Sequence, residues 1–204
     1  MDLPFILSHP AAVLPLMRRP FVPAALVAGA MAPDVPYFLA ALGVAETSAQ
    51  DWYGPLLNAT RSHTPGAGTL VALAWALGLV AAGRLLRAPL AALLPAGLRL
   101  AEAERTNGAR ARARYTLWLL VSALIGIASH VAWDSFTHGD GLLVTHVPAL
   151  RAPVVGGLTA ARLLQYASTA FGLAALGRHL WRRRGRPRAH GDDNGAVARP
   201  RSVV

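Results

Sequence analysis

The chain has no cysteine and no lysine, and only ten of its 204 residues are acidic. Without cysteine there are no thiolate nucleophiles, disulfides or sulfur-ligated zinc sites, and nothing follows about the redox compartment. Without lysine, every basic side chain other than histidine is an arginine. Charged residues make up 15 % of the chain against 54 % apolar residues, and mean hydropathy is +0.39. That balance is too apolar for an ordinary soluble domain, and a bilayer is its natural solvent. No G-x-S-x-G motif occurs, which removes the usual signature of a serine nucleophile, and no internal repeat is evident.

A formal net charge of +10 would point to nucleic acid in a soluble protein. Here the arginines flank apolar runs, where they set topology and meet anionic lipid headgroups, so nucleic acid is not an expected partner. Residues 64–83 (TPGAGTLVALAWALGLVAAG) carry no charge. At ~1.5 Å per residue they are long enough to cross the hydrocarbon core. Residues 115–133 form a second expected span, with His130 as its one ionisable group of that kind, and residues 157–181 a third, bounded by Arg162 and Arg178.

Proline is plentiful near the N-terminus: Pro10, Pro15, Pro20, Pro23, Pro33 and Pro36 divide that region into short pieces. The pattern predicts a helical hairpin in which residues 10–17 run one way, Arg18-Arg19-Pro20 turns, and residues 21–32 return. Residues 35–44 would then lie along the interface, anchored by Tyr37 and Phe38. Arg18-Arg19-Pro20-Phe21 before Ala28-Gly29-Ala30 resembles a twin-arginine signal, but is read as a decoy. Residues 88–98 are apolar but too short to cross, hence surface-lying or re-entrant.

The expected architecture is therefore all-α: a polytopic helical bundle of three long spans, a proline-broken N-terminal hairpin and short interfacial helices. Residues 1–181 form one membrane-embedded domain in this reading, and 182–204 a basic, disordered tail. Seventeen of the twenty arginines fall on one side, leaving Arg61, Arg151 and Arg162 on the other. The positive-inside rule makes the richer side cytoplasmic, the C-terminal tail included. Trp52, Tyr53 and Trp133 outside, with Tyr115 and Trp181 inside, read as interfacial belts.

Five polar elements then share the outer end: Ser8-His9, Pro33-Asp34, Ser62-His63, the stretch from His130 to Asp134, and Thr137-His138. His130 and Asp134, four apart, lie on one helix face, a spacing that suits a shared metal ion. Imidazole and carboxylate are zinc-type ligands, and in a cysteine-free chain they are the zinc chemistry available. His63 and Asp34 offer the same donors from other helices, His9 completes the set, and His138 is a further candidate. An aspartate in mid-membrane costs around 2.5 to 3.5 kcal/mol on insertion scales, so such a concentration points to function or pairing. A structural reading stands beside it: His130 and Asp134 as a hydrogen-bonded pair, Asp34 as a helix cap. His146 precedes a proline loop, His179 and His190 fall on the arginine-rich side, and Asn58-Ala59-Thr60 carries no weight as a glycosylation pattern.

Phe5-Ile6-Leu7-Ser8-His9-Pro10-Ala11-Ala12, Gly29-Ala30-Met31-Ala32-Pro33-Asp34, Ser62-His63 and the block Ser129-His130-Val131-Ala132-Trp133-Asp134-Ser135-Phe136-Thr137-His138-Gly139 resemble a bacterial family of membrane proteins, the domain of unknown function 4184. The order of motifs is also similar to the YdjM-type inner-membrane family of metal-dependent hydrolases, with its T-H, P-D, T-H-S and H-x-x-x-D elements. The resemblance implies His9, Asp34, His63, His130 and Asp134 as metal ligands. Thr64-Pro65 after His63, and the lack of a second acidic residue beside Asp34, depart from the second pattern and weaken a multi-metal centre. A more distant similarity is to zinc-dependent phospholipase C.

These observations lead to three expectations. The first is a metal-dependent hydrolase in the bacterial inner membrane, acting on a lipid or phosphate ester with a zinc-type ion, and with Asp34 as base where it is not a ligand. The second is a transporter or proton relay, which predicts charged groups at several depths. The third is a non-catalytic membrane protein whose His/Asp cluster ties helices together, the small residues of the spans packing closely in each case.

Overall fold

The computed structural model describes residues 8–44, 54–58, 62–63, 66–93 and 107–184. The chain enters through a 3-10 helix, η1 (His9–Leu16), in which Pro10 and Pro15 withhold N–H donors and favour a short, tight helix. After a turn at residues 18–20 it returns as α1 (Pro23–Met31), tightens into η2 (Ala32–Asp34) and continues as α2 (Val35–Ala41). The N-terminal hairpin is thus present, and its returning arm is longer than expected. Pro23–Ala41 spans 19 residues at mean hydropathy 1.4, long and apolar enough to cross a membrane. Pro33 and Pro36 sit in the first turns of η2 and α2, where a missing N–H forfeits little, so the run is tightened rather than ended.

The chain continues with α3 (Gly54–Leu57), α4 (Ala67–Leu85), α5 (Arg87–Leu93), α6 (Ala109–Thr137), α7 (Leu142–His146) and α8 (Pro148–Arg151). A two-stranded antiparallel hairpin, β1 (Pro153–Val155) with β2 (Leu158–Thr159), precedes α9 (Ala160–Arg184). Among the described residues the protein is all-α apart from this hairpin, and three segments are long and apolar enough to span a membrane: Pro23–Ala41, Ala67–Leu85 and Ala109–His146.

The third expected span, residues 157–181, differs. Gly156 and Gly157 take φ of 55° and 81°, the conformation a two-residue hairpin turn needs, so residues 157–159 belong to the hairpin. α9 itself is a helix but not one of the three membrane-crossing segments. It buries Ala161, Gln165, Thr169 and Gly172 along one face, so part of its polarity is turned into the bundle.

Between α1, α4 and α6 the core is made of small side chains: Ala25, Ala28 and Ala32 meet Ala72, Ala76 and Val80, and Leu119, Ala123 and Ile127 close the third side. Lipid tails are as apolar as leucine, so helices in a bilayer associate mainly through close dispersion contact, which small residues permit. The closest approach is between α1 and α6. A Cβ added to Gly29 would fall on the Ala123 carbonyl, and one added to Gly126 on the backbone of Leu26 and Ala30. A second cluster, Val13, Leu26 and Ala30, seats η1, and Gly172 lets α9 approach the backbone of Ser8. Leu70, Leu77, Leu117, Leu124 and Phe171 remain exposed on the outside, as lipid-facing positions would be.

α6 runs parallel to α1 and antiparallel to α4. The start of η1, the end of α1–η2, the entry to α4 and the end of α6 therefore share one end of the bundle. At the opposite end Arg84 of α4 donates to the Tyr115 hydroxyl of α6 and lies over its ring, 5.5 Å from the centroid. The tail expected from Arg182 is helical to Arg184, and its remainder lies outside the described residues. So do Trp52, Tyr53, residues 59–61, residues 94–98 of the short apolar segment, and His190.

Candidate metal centre

The contact of Gly29 and Gly126 sets the site one helical turn further along. Four residues beyond Gly126, the His130 Nδ1 lies 2.8 Å from the Ala30 carbonyl oxygen. A carbonyl only accepts, so Nδ1 carries the proton and the neutral ring presents a lone pair at Nε2. His63 reaches the same state by another route. The Ser62 hydroxyl donates to the Pro33 carbonyl at 2.6 Å, which leaves Ser62 Oγ to accept from His63 Nδ1 at 3.2 Å. The His63 lone pair is then also at Nε2.

Both Nε2 atoms face one point, 3.2 Å apart. His63 Nε2 lies 3.3 Å from Asp34 Oδ1 and 3.4 Å from Asp134 Oδ2. His130 Nε2 lies 3.5 Å from Asp34 Oδ1 and 3.0 Å from Asp134 Oδ2. One ligand atom from each of these four residues falls within 4.8 Å of every other. A tetrahedral ion with bonds of about 2.0–2.1 Å has donors roughly 3.3–3.4 Å apart, which the observed separations bracket. Four acceptor atoms converging this closely repel one another unless positive charge sits between them. A divalent cation, or protons that turn both rings into imidazolium, meets that need. The donor set of two imidazoles and two carboxylates can hold a metal ion.

Access to this group is one-sided. The His130 side chain is fully buried, those of Asp34 and Asp134 are 6 % and 12 % exposed, and His63 is 23 % exposed. Among the described residues of the group His63 is the most exposed, and its ring centroid lies 6.1 Å from that of Tyr37.

His9 and His138, anticipated as ligands, occupy a second layer. The reason is that Asp134 turns Oδ2 to the cluster and Oδ1 away from it. His9 Nε2 meets Oδ1 at 2.9 Å and His138 Nδ1 meets it at 3.3 Å. His9 also stacks on His130, centroids 4.0 Å apart, and its Nδ1 stands 4.0 Å from Asp34 Oδ2. It spans the two carboxylates from behind and fixes their orientation. Asp34, anticipated both as ligand and as base, places Oδ1 in the four-atom group and Oδ2 toward His9.

Three participants were not legible as such. Gln165 of α9 is buried; its Oε1 accepts from Arg162 at 2.9 Å, which orients the amide so that Nε2 donates to His138 Nε2 at 3.4 Å. That assigns the His138 proton to Nδ1, aimed at Asp134. A glutamine three residues after an arginine in a helix of small and apolar residues was the available signal. The Pro33 and Ala30 carbonyls, which set both tautomers, carry no signal in residue type. His146 bonds within its own turn, to the Leu142 carbonyl at 2.7 Å, away from the cluster. His179 lies near the arginine-rich end of α9.

A family model described as "Domain of unknown function (DUF4184)" matches residues 3–201, nearly the whole chain. No curated protein and no solved structure matches it.

Proposed function

The chain belongs to the DUF4184 family, a domain of unknown function by its description, and from the site we propose a membrane-embedded, metal-dependent hydrolase acting on a lipid or phosphate ester at one membrane face. The observation that carries this is the convergence of two imidazole lone pairs and two carboxylate oxygens on one point, at a bundle end open on the His63 side. A zinc-type divalent ion, when bound, supplies Lewis acidity and lowers the pKa of coordinated water toward about 7.

The protein's own residues do the rest. His63, His130, Asp34 and Asp134 would hold the ion, and His9 keeps the Asp134 carboxylate turned. Asp34 turns Oδ2 away from the donor group, toward His9 Nδ1 at 4.0 Å, and would serve as base only where it is not a ligand. The similarity to YdjM-type metal-dependent hydrolases points to the same class of reaction. The arginine distribution favours the bacterial inner membrane, with the site at the outer interface, residues 1–181 as the embedded domain, and the tail and anionic-lipid contacts on the cytoplasmic side.

A second reading has its own observation. Four protein donors already fill a zinc tetrahedron, and closed sites of that kind are usually structural. In that reading the ion pins η2, the entry to α4 and α6 together. A proton relay is disfavoured because the ionisable groups gather at one end rather than along the spans.

Metal analysis of detergent-purified protein, beside the His130→Ala, Asp134→Ala double variant, tests both metal readings. Equal, substoichiometric metal in the two preparations removes their common basis. Turnover of phosphate esters that disappears with chelator and returns with zinc supports the hydrolase. Stoichiometric metal with no turnover of lipid or phosphate-ester substrates supports the structural site.

A further inference from the structure

α6 ends at Thr137, and His138 leaves the helical path with a ψ of 142°. Its ring turns back along the helix end, where Nδ1 meets Asp134 Oδ1 at 3.3 Å. A neutral imidazole has two tautomers, and only the one protonated at Nδ1 can donate to that oxygen.

Two neighbours select this tautomer independently. The Thr137 hydroxyl donates to the Trp133 carbonyl at 3.1 Å, which leaves its oxygen to accept from His138 Nδ1 at 3.3 Å. On the other side of the ring stands Gln165 of α9. Arg162 can only donate, so it fixes Gln165 Oε1 as its acceptor at 2.9 Å and leaves the amide nitrogen facing His138 Nε2 at 3.4 Å. An amide N–H cannot accept, so His138 Nε2 carries the lone pair. The hydrogen bonds then run in one direction, from Arg162 to Gln165, from Gln165 to His138, and from His138 to Asp134.

Gln165 is buried, on the face of α9 that also buries Ala161, Thr169 and Gly172. A buried carboxamide costs free energy unless both of its ends are paired, and a leucine there would carry no such cost. A glutamate of the same shape would pair with Arg162 more strongly but would have no proton for His138. What glutamine has and both alternatives lack is the N–H that it gives to the ring.

We infer that Gln165 is a positioning residue for Asp134. Acting from α9 through His138, it fixes the direction of the hydrogen bond on Oδ1 and so keeps Oδ2 turned to the donor group. The purpose of this rests on the metal readings above, whereas the direction of the hydrogen bonds does not. α9 supplies none of the four donors, yet in this arrangement it tunes one of them, as outer-shell partners do at metal centres.

The test uses full-length, detergent-purified protein labelled with 15N-histidine. NMR of the metal-free protein at pH about 8, above the ordinary histidine range, locates the protons, and competition with a chelating dye gives the zinc affinity. The His138 signals are those that vanish in His138→Ala. Wild type is expected to show His138 protonated at Nδ1 and unprotonated at Nε2. Gln165→Glu keeps the size and the Arg162 partner but offers the ring only acceptors, so a proton should appear on Nε2. Zinc affinity should then fall about 10-fold, the lower end for an outer-shell change because His9 still holds Oδ1. Gln165→Leu, which serves should Gln165→Glu not fold, opens Nε2 to either state, and both tautomers should appear with a smaller loss of zinc affinity. A role confined to packing would lower the unfolding midpoint and leave the His138 protons where they are, which overturns the proposal. So does a protonated Nε2 in wild type, or unchanged zinc affinity in folded Gln165→Glu. Wild type with the expected His138 protons but no bound zinc keeps the hydrogen-bond chain and sinks the metal readings instead.

Discussion

The two ends of the bundle hold polar groups in opposite ways. At the histidine end His9, Asp34, His130 and Asp134 are buried, and the two innermost imidazoles are fixed by a second bond, His130 to the Ala30 carbonyl and His63 to Ser62. At the arginine end Arg84, Arg110, Arg112 and Arg114 are exposed, and the contacts are of the kind Arg84 makes with Tyr115, or Arg184 with the Trp181 ring, 3.5 Å from its centroid. The same alanine-rich packing lies between. One end imposes a geometry on its polar groups, whereas the other only keeps charge near water and headgroups. The proposed chemistry depends on the first kind of order, and the proposed orientation in a bilayer on the second.

The contrast breaks most severely at Asp134, which gives Oδ2 to the donor group and Oδ1 to both outer histidines. Asp134→Ala removes a ligand and the anchor of two supporting side chains together. Bound metal is expected to drop to background by elemental analysis, more than the ten- to hundredfold weakening typical of an outer-shell change. Retention of metal by this variant would mean that the bound metal lies elsewhere than in this four-donor group.

Next in size is the packing that brings the centre together. Gly126→Val would press branched carbons onto the Leu26 and Ala30 backbone and push α1 from α6. Overpacking of this kind typically costs 1–3 kcal/mol, and here a lower unfolding midpoint in detergent should accompany weaker metal binding, because the His130–Ala30 bond lengthens. An unchanged metal affinity would show that the site does not depend on the glycine contact.

Smaller still are the outer histidines. His9→Ala and His138→Ala each leave the four donors in place and loosen Asp134. Metal affinity should fall by about 10- to 100-fold, as measured by competition with a chelating dye. His9→Ala is expected to have the larger effect, since His9 also stacks on His130 and faces Asp34.

Much of this was legible from residues alone. Uncharged stretches marked α4 and α6, and prolines marked the N-terminal hairpin. The i,i+4 spacing of His130 and Asp134 put both on one face, and arginine asymmetry put His9, His63 and Asp34 at the same end. What was not legible depends on backbone and on direction. Whether His9 is a ligand or a support is decided by which oxygen of Asp134 it meets, and residue type does not specify that. The length of the α1–α2 run was hidden because Pro33 and Pro36 look like breakers until their first-turn positions are known. The residues of 157–159 were counted into a span because hydropathy does not register that Gly156-Gly157 is a turn. Gln165 was passed over because one polar residue in an apolar helix has no visible partner until α9 packs against the end of α6.

The smallest effect is expected at the arginine end, and it is the control for the others. Arg84→Gln removes the hydrogen bond to Tyr115 and the stacking over its ring. Pairs of exposed groups contribute on the order of 1 kcal/mol or less, and the long side chain gains back rotamer freedom when released. The unfolding midpoint should therefore move by no more than a few degrees, and metal content should not move at all. Arg84 lies near the far end of the 19-residue helix α4 from His63, so about 1.5 Å per residue separates the two groups by most of a bilayer core. Any loss of metal in Arg84→Gln would have to travel that distance through a stack of alanines with no second arrangement to adopt. Such a loss would show that the two ends are mechanically coupled and that the arginine end does more than set topology.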